Sequence, residues 1–366
     1  MGRQVYELLR ELSLRDDLQG KYRFILYSNN PLRDDPLFDH PLFVRRPVGM
    51  KSVFGSWAPS SFSLHYYVLL PLRLWWDSSR DGVRAIYYPN YMLPIIHPPH
   101  VASLVMLTDD IFRESRNPAL AFRYRIAYRI FGTFWAKRFA RRIMAISHAS
   151  AGALTRLGVA PSRIVVNEMG IVPPEATSYQ LQATSCDFLF IGQAFPRRHL
   201  KETLEAFEHL AQERAGLTFR FIGRDKYPEP VIAELISDIN RRLDREAVTS
   251  AEYVPQEELS RAYRSARTLV YVSDTEGFGM PPLEALAHGT VPVVADTPVN
   301  REIYGNDAVF VPTPITGEGI GNAMRRSLAD ASARERILSA GPGIVARYSW
   351  KAHADRFVRI MDSLTA

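Results

Sequence analysis

The stretch Glu276-Gly-Phe-Gly-Met-Pro-Pro-Leu-Glu284 sets two carboxylates around a glycine-rich turn. Glycines let a backbone approach a ligand closely and adopt dihedrals that side chains forbid. Pro281 and Pro282 suit the first turn of a helix, where a missing N–H costs little, and Gly289 suits its end. A strand, a glycine loop and a helix N-terminus with free N–H groups together form an anion site. Glu276 is expected on the loop and Glu284 in the helix's first turn, where both carboxylates can accept bonds from the hydroxyls of a sugar. Two exposed acids near a helix start would be the plainer explanation, since acids are favoured there anyway. The glycines, the prolines and the strand that follows are all in register, which favours a site.

Arg197 and Arg198 form a second cluster, between a predicted strand and a predicted helix. A lone arginine pair is usually solvated; this placement argues for a role. Thr108-Asp109 follows an apolar run, and Asp109 serves equally well as a cap for the next segment. His148 reads as a structural histidine at a strand end. Cys186 is the only cysteine and reads as a small buried apolar residue.

The elements that must position these groups show in the hydrophobic pattern. In the second half, β-rich runs at 187–191, 217–222, 268–272, 291–295 and 308–311 alternate with amphipathic stretches. In 199–213, Leu200, Leu204, Phe207 and Leu210 share one face. Strand–helix alternation of this kind builds a parallel sheet with helices on both sides, a Rossmann-like domain. The first half repeats the theme: Val5, Leu8, Leu9 and Leu12 mark a helix, and 22–27, 85–88, 104–107 and 143–146 read as buried strands. The polar, proline-paired stretch 173–184 is expected to be a linker, and 350–364 an amphipathic helix carrying Phe357, Ile360, Met361 and Leu364. A doubly wound sheet starts with a central strand and a glycine turn. Here the chain is helical at once after Met1-Gly2-Arg3, so the first strand is expected to lie upstream.

The chain has 366 residues, 46% hydrophobic and 23% charged, which suits two globular domains and argues against disorder. No apolar run approaches the ~18 residues of a transmembrane helix, and no secretory leader is visible. One cysteine excludes an internal disulfide and a cysteine-based zinc cage; a reducing, cytoplasmic setting is expected. Residues 1–183 carry 23 Lys and Arg against 14 Asp and Glu, whereas the remainder carries 22 against 25. A basic first half calls for an anionic partner, and without a nucleic-acid-binding motif that partner is not nucleic acid.

The glutamate pair within Glu-Gly-Phe-Gly-Met-Pro-Pro-Leu-Glu-Ala-Leu-Ala-His-Gly resembles the donor-site signature of family 4 retaining glycosyltransferases, which have the GT-B fold. Phe190-Ile-Gly-Gln-Ala-Phe-Pro-Arg-Arg-His-Leu200 is similar to the family's first C-domain strand and its Pro-Arg-Lys-Asn loop. Segments 259–272 and 291–311 follow in the right order, and 88–94 and 145–150 match more loosely. The resemblance implies an α/β chain with two Rossmann-like domains facing across a cleft, the N-domain lacking its first strand. The implied N-terminal acceptor domain spans 1–172, joined by the C-terminal helix 350–366. The implied nucleotide-sugar domain spans 185–349.

By the same resemblance, Glu284 binds ribose hydroxyls, and Glu276 with the amides of Gly277, Phe278, Gly279 and Met280 holds the donor sugar and diphosphate. Gly192 belongs to the same donor set. Arg198 replaces the family's lysine and, with Arg197, neutralises the leaving diphosphate; arginine can do so bidentately. Where the family commonly has His-Asp, this chain has Thr108-Asp109, which puts the sugar's position in question; Gln193 stands where many members have arginine. No Asp-x-Asp pair occurs, and no metal or other cofactor is expected.

The expected reaction moves a sugar, with a lean to mannose, from a GDP- or UDP-linked donor to a hydroxyl of a glycan or lipid-linked acceptor, in cell-surface polysaccharide or glycolipid synthesis. A non-catalytic nucleotide-sugar or glycan binder, or an epimerase or phosphorylase on the same fold, are the alternatives. The segment 122–146 mixes seven Arg and Lys with aromatic residues. It reads as a core-packed helix with a basic outer face or, slightly less favoured, as a peripheral contact with an anionic membrane at its inner face.

Overall fold

Runs such as Phe188–Ile191 and Val291–Ala295 have no polar face, and a strand apolar on both sides must be covered on both. The computed structural model of the chain builds them that way. It describes residues 2–28, 32, 34–48, 70–91, 93–108, 112, 115, 116, 122–172, 174 and 186–365. The chain divides into two compact units, Met1–Gly170 with Trp350–Ala366, and Ile171–Ser349. Of the expected linker 173–184, all but residue 174 lies outside the described residues.

In chain order the strands are β1 (Phe24–Ser28), β2 (Phe43–Pro47), β3 (Ala85–Tyr88), β4 (Ala102–Met106), β5 (Arg142–Ala145), β6 (Ile164–Val166), β7 (Cys186–Ile191), β8 (Phe219–Ile222), β9 (Val248–Ala251), β10 (Ala266–Tyr271), β11 (Val291–Ala295) and β12 (Val309–Val311). The second unit is one parallel sheet in the order β12-β11-β10-β7-β8-β9. From β7 the chain winds outward through β8 to β9, then crosses back to β10 and winds the other way. The order therefore reverses between β7 and β10, the place where open α/β sheets bind ligands beyond the strands' carboxyl ends. Phe188, Phe190, Phe219 and Phe221 from β7 and β8 pack with Leu200, Leu204, Phe207 and Leu210 of the helix Leu200–Glu213. Each such side chain contributes about 1.5–3 kcal/mol on burial.

The first unit holds a four-stranded parallel sheet, β3-β4-β5-β6, and a separate parallel pair, β1-β2. Among the described residues no strand joins β1 to β3, the position that a doubly wound order assigns to its first strand. Asp81 ties the two pieces instead, accepting from Tyr27 Oη at 2.9 Å and pairing with Arg46 at 3.2 Å. The helix Gly2–Ser13 buries Leu8, Leu9 and Leu12 against Phe357 and Val358 of the last helix, Trp350–Thr365, over Leu104 and Met144. The last helix thus belongs to the first unit. Its His353 is fully buried, with Nδ1 2.8 Å from the carbonyl of Glu168. Burial holds that imidazole down to about 4.

Residues 122–146 do not form one helix. A helix Phe122–Ala127 runs into a π-helical stretch Tyr128–Ala136, then a short α-helical piece Lys137–Phe139, and β5 follows. The core-packed reading holds only for one side, where Ala136 and Ala140 are buried. Phe122, Ile126, Ile130, Phe134 and Phe139 are exposed, and so are Arg129 and Arg138. The first four recur at every fourth residue, which keeps them on one stripe of a helix. Among the described residues no helix is long and apolar enough to cross a membrane.

Candidate functional site

At the carboxyl end of β7 the chain turns through Gly192, whose φ is 127°. Its neighbour at the end of β8, Gly223, has φ 154°, and a Cβ there would sit 1.9 Å from the Gly192 carbonyl oxygen. Only glycine lets these two loops pass backbone against backbone. A 3-10 turn, Pro196–Arg198, and the left-handed His199 (φ 50°, ψ 34°) then lead into the helix Leu200–Glu213.

Arg198 reaches back over this turn. Its Nη1 donates to the Gln193 carbonyl at 2.9 Å, and its guanidinium carbon lies 5.0 Å from the ring centroid of Tyr271, the last residue of β10. Its Nε donates to Oε1 of Glu276 at 2.8 Å, with both side chains largely covered. The same carboxylate oxygen accepts from Tyr271 Oη at 3.2 Å. Burial and then the charge of Glu276 raise the Tyr271 phenol well above its ordinary value, so it stays protonated as a donor. Arg197 lies over the Phe195 ring at 4.8 Å, and its carbonyl accepts from the Asp274 amide at 2.9 Å. The two loops beyond β7 and β10 are therefore stitched together by main chain as well as by charge.

After Glu276 the chain passes Gly277 and buries Phe278 against Tyr348, so Phe278 offers the site its backbone and not its ring. Gly279, at φ 83°, precedes the helix Met280–Ala287 without a side-chain cap, and Pro281 and Pro282 occupy its first turn. The two prolines remove two N–H groups, leaving the amides of Gly279 and Met280 as the donors of this helix end.

Glu284 is the fifth residue of that helix, so it stands in the second turn and not, as expected, in the first. It is 7% exposed, and Oε2 accepts from Tyr263 Oη at 2.9 Å. His288 stacks on Tyr263 at 5.2 Å, with Nδ1 2.7 Å from the Glu284 carbonyl. The helix opens on Met280, one residue before the prolines, which carries Glu284 just past the first turn.

The second unit thus brings Gly192, Arg197, Arg198, Glu276, Gly277, Phe278, Gly279, Met280 and Glu284 to one edge of one sheet. Thr108 lies in the first unit, beyond the end of β4, and Asp109 lies outside the described residues. His148 is not a packed strand-end residue: it is exposed and opens the helix His148–Arg156, capped by Ser147. Cys186 is buried, its thiol held up at about 12 chiefly by burial. Tyr263, Tyr271, His199, Asp274 and Gly223 also build the site, and sequence reasoning assigned them no role. Tyr271 sits inside an apolar run and looks like core, and Tyr263 lies between Ala262 and Arg264 in a mostly polar helix; His199 alone had a positional signal, next to the arginine pair.

Residues 160–342 match the family described as glycosyl transferases group 1. The O-antigen chain mannosyltransferase B of Escherichia coli is 30% identical over 301 residues, covering 78% of this chain and 76% of that protein. The GDP-mannose:cellobiosyl-diphosphopolyprenol alpha-mannosyltransferase of Xanthomonas campestris is 26% identical over 231 residues, covering 59% and 57%. Among solved structures, WaaG, a glycosyltransferase involved in lipopolysaccharide biosynthesis, superposes with a TM-score of 0.70 at 15% identity, over 98% of this chain and 95% of that one. That likeness establishes the fold.

Proposed function

The chain belongs to the glycosyl transferases group 1 family, with the GT-B fold, and we propose that it is a retaining hexosyltransferase that moves mannose from GDP-mannose to an acceptor hydroxyl. The names of its relatives support mannose, the GDP-linked donor and a setting in cell-surface polysaccharide synthesis. The observation that carries the reading is the Arg198–Glu276 pair at the point where the sheet order reverses. A nucleoside diphosphate lying on the loop beyond β10 meets Arg198, Arg197 and the amides of Gly279 and Met280. Glu284 takes the ribose hydroxyls, and Glu276 the hydroxyls of the sugar.

In the proposed reaction the bond from the sugar's C1 to the diphosphate oxygen breaks while the acceptor oxygen bonds to C1 on the same face. The acceptor's proton passes to the leaving diphosphate oxygen. Charge developing on that diphosphate is met by two guanidinium groups and a helix N-terminus, the kind of preorganised electrostatics that can serve in place of a metal ion. Thr108 and Asp109 are assigned to the sugar and its acceptor, and the basic first unit receives the acceptor. The exposed apolar stripe from Phe122 to Phe139, with Arg129 and Arg138 beside it, supports peripheral contact with an anionic membrane carrying a lipid-linked acceptor.

The test is thermal unfolding of the full chain with GDP, UDP and ADP, each without metal, followed by transfer from GDP-mannose. A nucleotide at 100 times its Kd stabilises by about 2.7 kcal/mol. A shift with GDP that Glu284→Ala abolishes upholds the reading, and no shift with any nucleotide overturns it. Proton NMR of the product's anomeric centre decides retention, and transfer rates with and without a chelator decide the need for metal.

A further inference from the structure

His199 lies beside the arginine pair in a backbone conformation that few non-glycine residues adopt. Its ring stands between two carboxylates: Nε2 is 3.1 Å from Oδ1 of Asp274, and Nδ1 is 3.5 Å from Oε1 of Glu202. A neutral imidazole has one N–H and one lone pair, so it can donate to only one of them. The imidazolium carries an N–H on both nitrogens, one toward each carboxylate. Asp274 lies on the loop that carries Glu276, and its amide donates to the carbonyl of Arg197. His199 is thus the third tie between the loops beyond β7 and β10, after that main-chain bond and the Arg198–Glu276 pair.

We infer that His199 is a positioning residue of the donor site, which as an imidazolium clamps Asp274 to Glu202 and so holds Arg197 and Arg198 toward the donor's diphosphate. The inference rests on the proposed donor site. Loss of the proton opens the clamp and removes a positive charge beside an anion site, so donor affinity falls as pH rises. Burial by itself would lower this imidazole's pKa, but its hydrogen bonds and charge pairing with Glu202 and Asp274 outweigh burial and raise it above the ordinary value. The charged groups around the ring are Glu202 on its own helix, Asp274 on the facing loop, and the adjacent Arg197 and Arg198, directed to Phe195 and to Glu276.

The experiment is calorimetric binding of GDP-mannose and of UDP-glucose to the full chain from about pH 5.5 to about pH 8.5, a range that spans histidine titration. It compares the wild type with His199→Asn and Asp274→Asn. Asparagine tolerates the left-handed backbone, so His199→Asn removes the charge and keeps the turn. Wild-type affinity should fall about fivefold across this range, the effect of roughly one partly screened charge pair, and both variants should show a flat profile. A wild-type profile that is already flat, or one that survives unchanged in His199→Asn, overturns the clamp while leaving the donor site standing. Affinity lower by the same factor at every pH, with a lower Tm, makes His199 merely structural and also overturns it. If the wild type binds neither nucleotide sugar, the donor site itself falls, and the clamp with it.

Discussion

Arg198 and Glu276 stand 78 residues apart in the chain and 2.8 Å apart in space. Each is suited to a different part of a nucleotide sugar, yet they hold one another, and Tyr271 holds the same carboxylate oxygen. A diphosphate bound beside them has to draw Arg198 from Glu276 or share it. The pair therefore sets the position of both groups before substrate arrives, the kind of preorganisation that makes charged side chains effective in catalysis.

Arg198→Ala should lower kcat for transfer by about 10²–10³, the cost of removing one preorganised group that meets developing charge. Arg198→Lys should recover part of this, because a lysine keeps the charge but loses the fork that serves Gln193 and Glu276 together. Steady-state kinetics with GDP-mannose and an acceptor measure both. Equal rates for Arg198→Ala and the wild type would remove the arginine from the mechanism.

Tyr263→Phe deletes the hydroxyl that donates to the buried Glu284 carboxylate. The expected cost is about 1–3 kcal/mol of stability, as for a buried charged group deprived of a hydrogen bond. The nucleotide-induced rise in Tm should shrink as well, since the carboxylate loses its fixed orientation. Thermal unfolding with and without GDP reads both effects on one sample.

Gly223→Ala should destabilise the second unit severely, by about 3 kcal/mol or more. The added Cβ meets the Gly192 carbonyl at 1.9 Å on a backbone whose φ is 154°. Neither atom belongs to a flexible side chain, so the loops beyond β7 and β8 have to part. Gly216 is the control: alanine there has open space and only an unfavourable φ to contend with. A Gly223→Ala Tm equal to that of Gly216→Ala would show that the loops part freely.

Acidification should unfold the first unit through His353. Its pKa in the folded chain is about 4, below the ~6.5 of an unfolded histidine. Between those values the unfolded state binds more protons than the folded one, so stability rises with pH through this window and is lost as pH falls. The full effect is about 3 kcal/mol at ~1.36 kcal/mol per unit. Urea denaturation of the wild type and of His353→Gln, at about pH 7 and about pH 5, measures the slope, which the variant should lack.

Phe134→Glu with Ile130→Glu places two carboxylates on the exposed apolar stripe without touching a core. Stability should change by less than about 0.5 kcal/mol. Sedimentation with anionic phospholipid vesicles at low salt should drop to the level seen with neutral vesicles. Undiminished sedimentation would place any lipid contact elsewhere.

The second unit was legible because its chemistry and its periodicity agree. β7, β8, β10, β11 and β12 lie where apolar runs predict them, and the loops that carry Arg198 and Glu276 lie between those runs. β9 escaped notice because Thr249 and Ser250 are exposed at the sheet edge, leaving only Val248 buried. β2 and β6 are short and only partly buried, so they carry no strong alternation either. The pairing of Arg198 with Glu276, and of Tyr263 with Glu284, is not written in local sequence. It follows from parallel crossovers that bring residues about twenty or eighty positions apart to one edge. Glu284's place in the second turn was missed because prolines were assumed to mark the helix start, and Met280 precedes them. The π-helical winding of Tyr128–Ala136 has no signature in a pattern judged at 3.6 residues per turn.

The last helix, Trp350–Thr365, completes the core that Leu8, Leu9 and Leu12 begin. The first unit is thus made of two stretches of chain, with the whole second unit inserted between them. During synthesis the usual order of domain folding, N-terminal first, is reversed: residues 171–349 form a continuous unit that can close as soon as its final residue leaves the ribosome. The earlier-made unit has to wait for the helix Trp350–Thr365. A chain that ends before Trp350 carries a folded second unit attached to an apolar surface still lacking Phe357 and Val358, a direct target for chaperones and proteases.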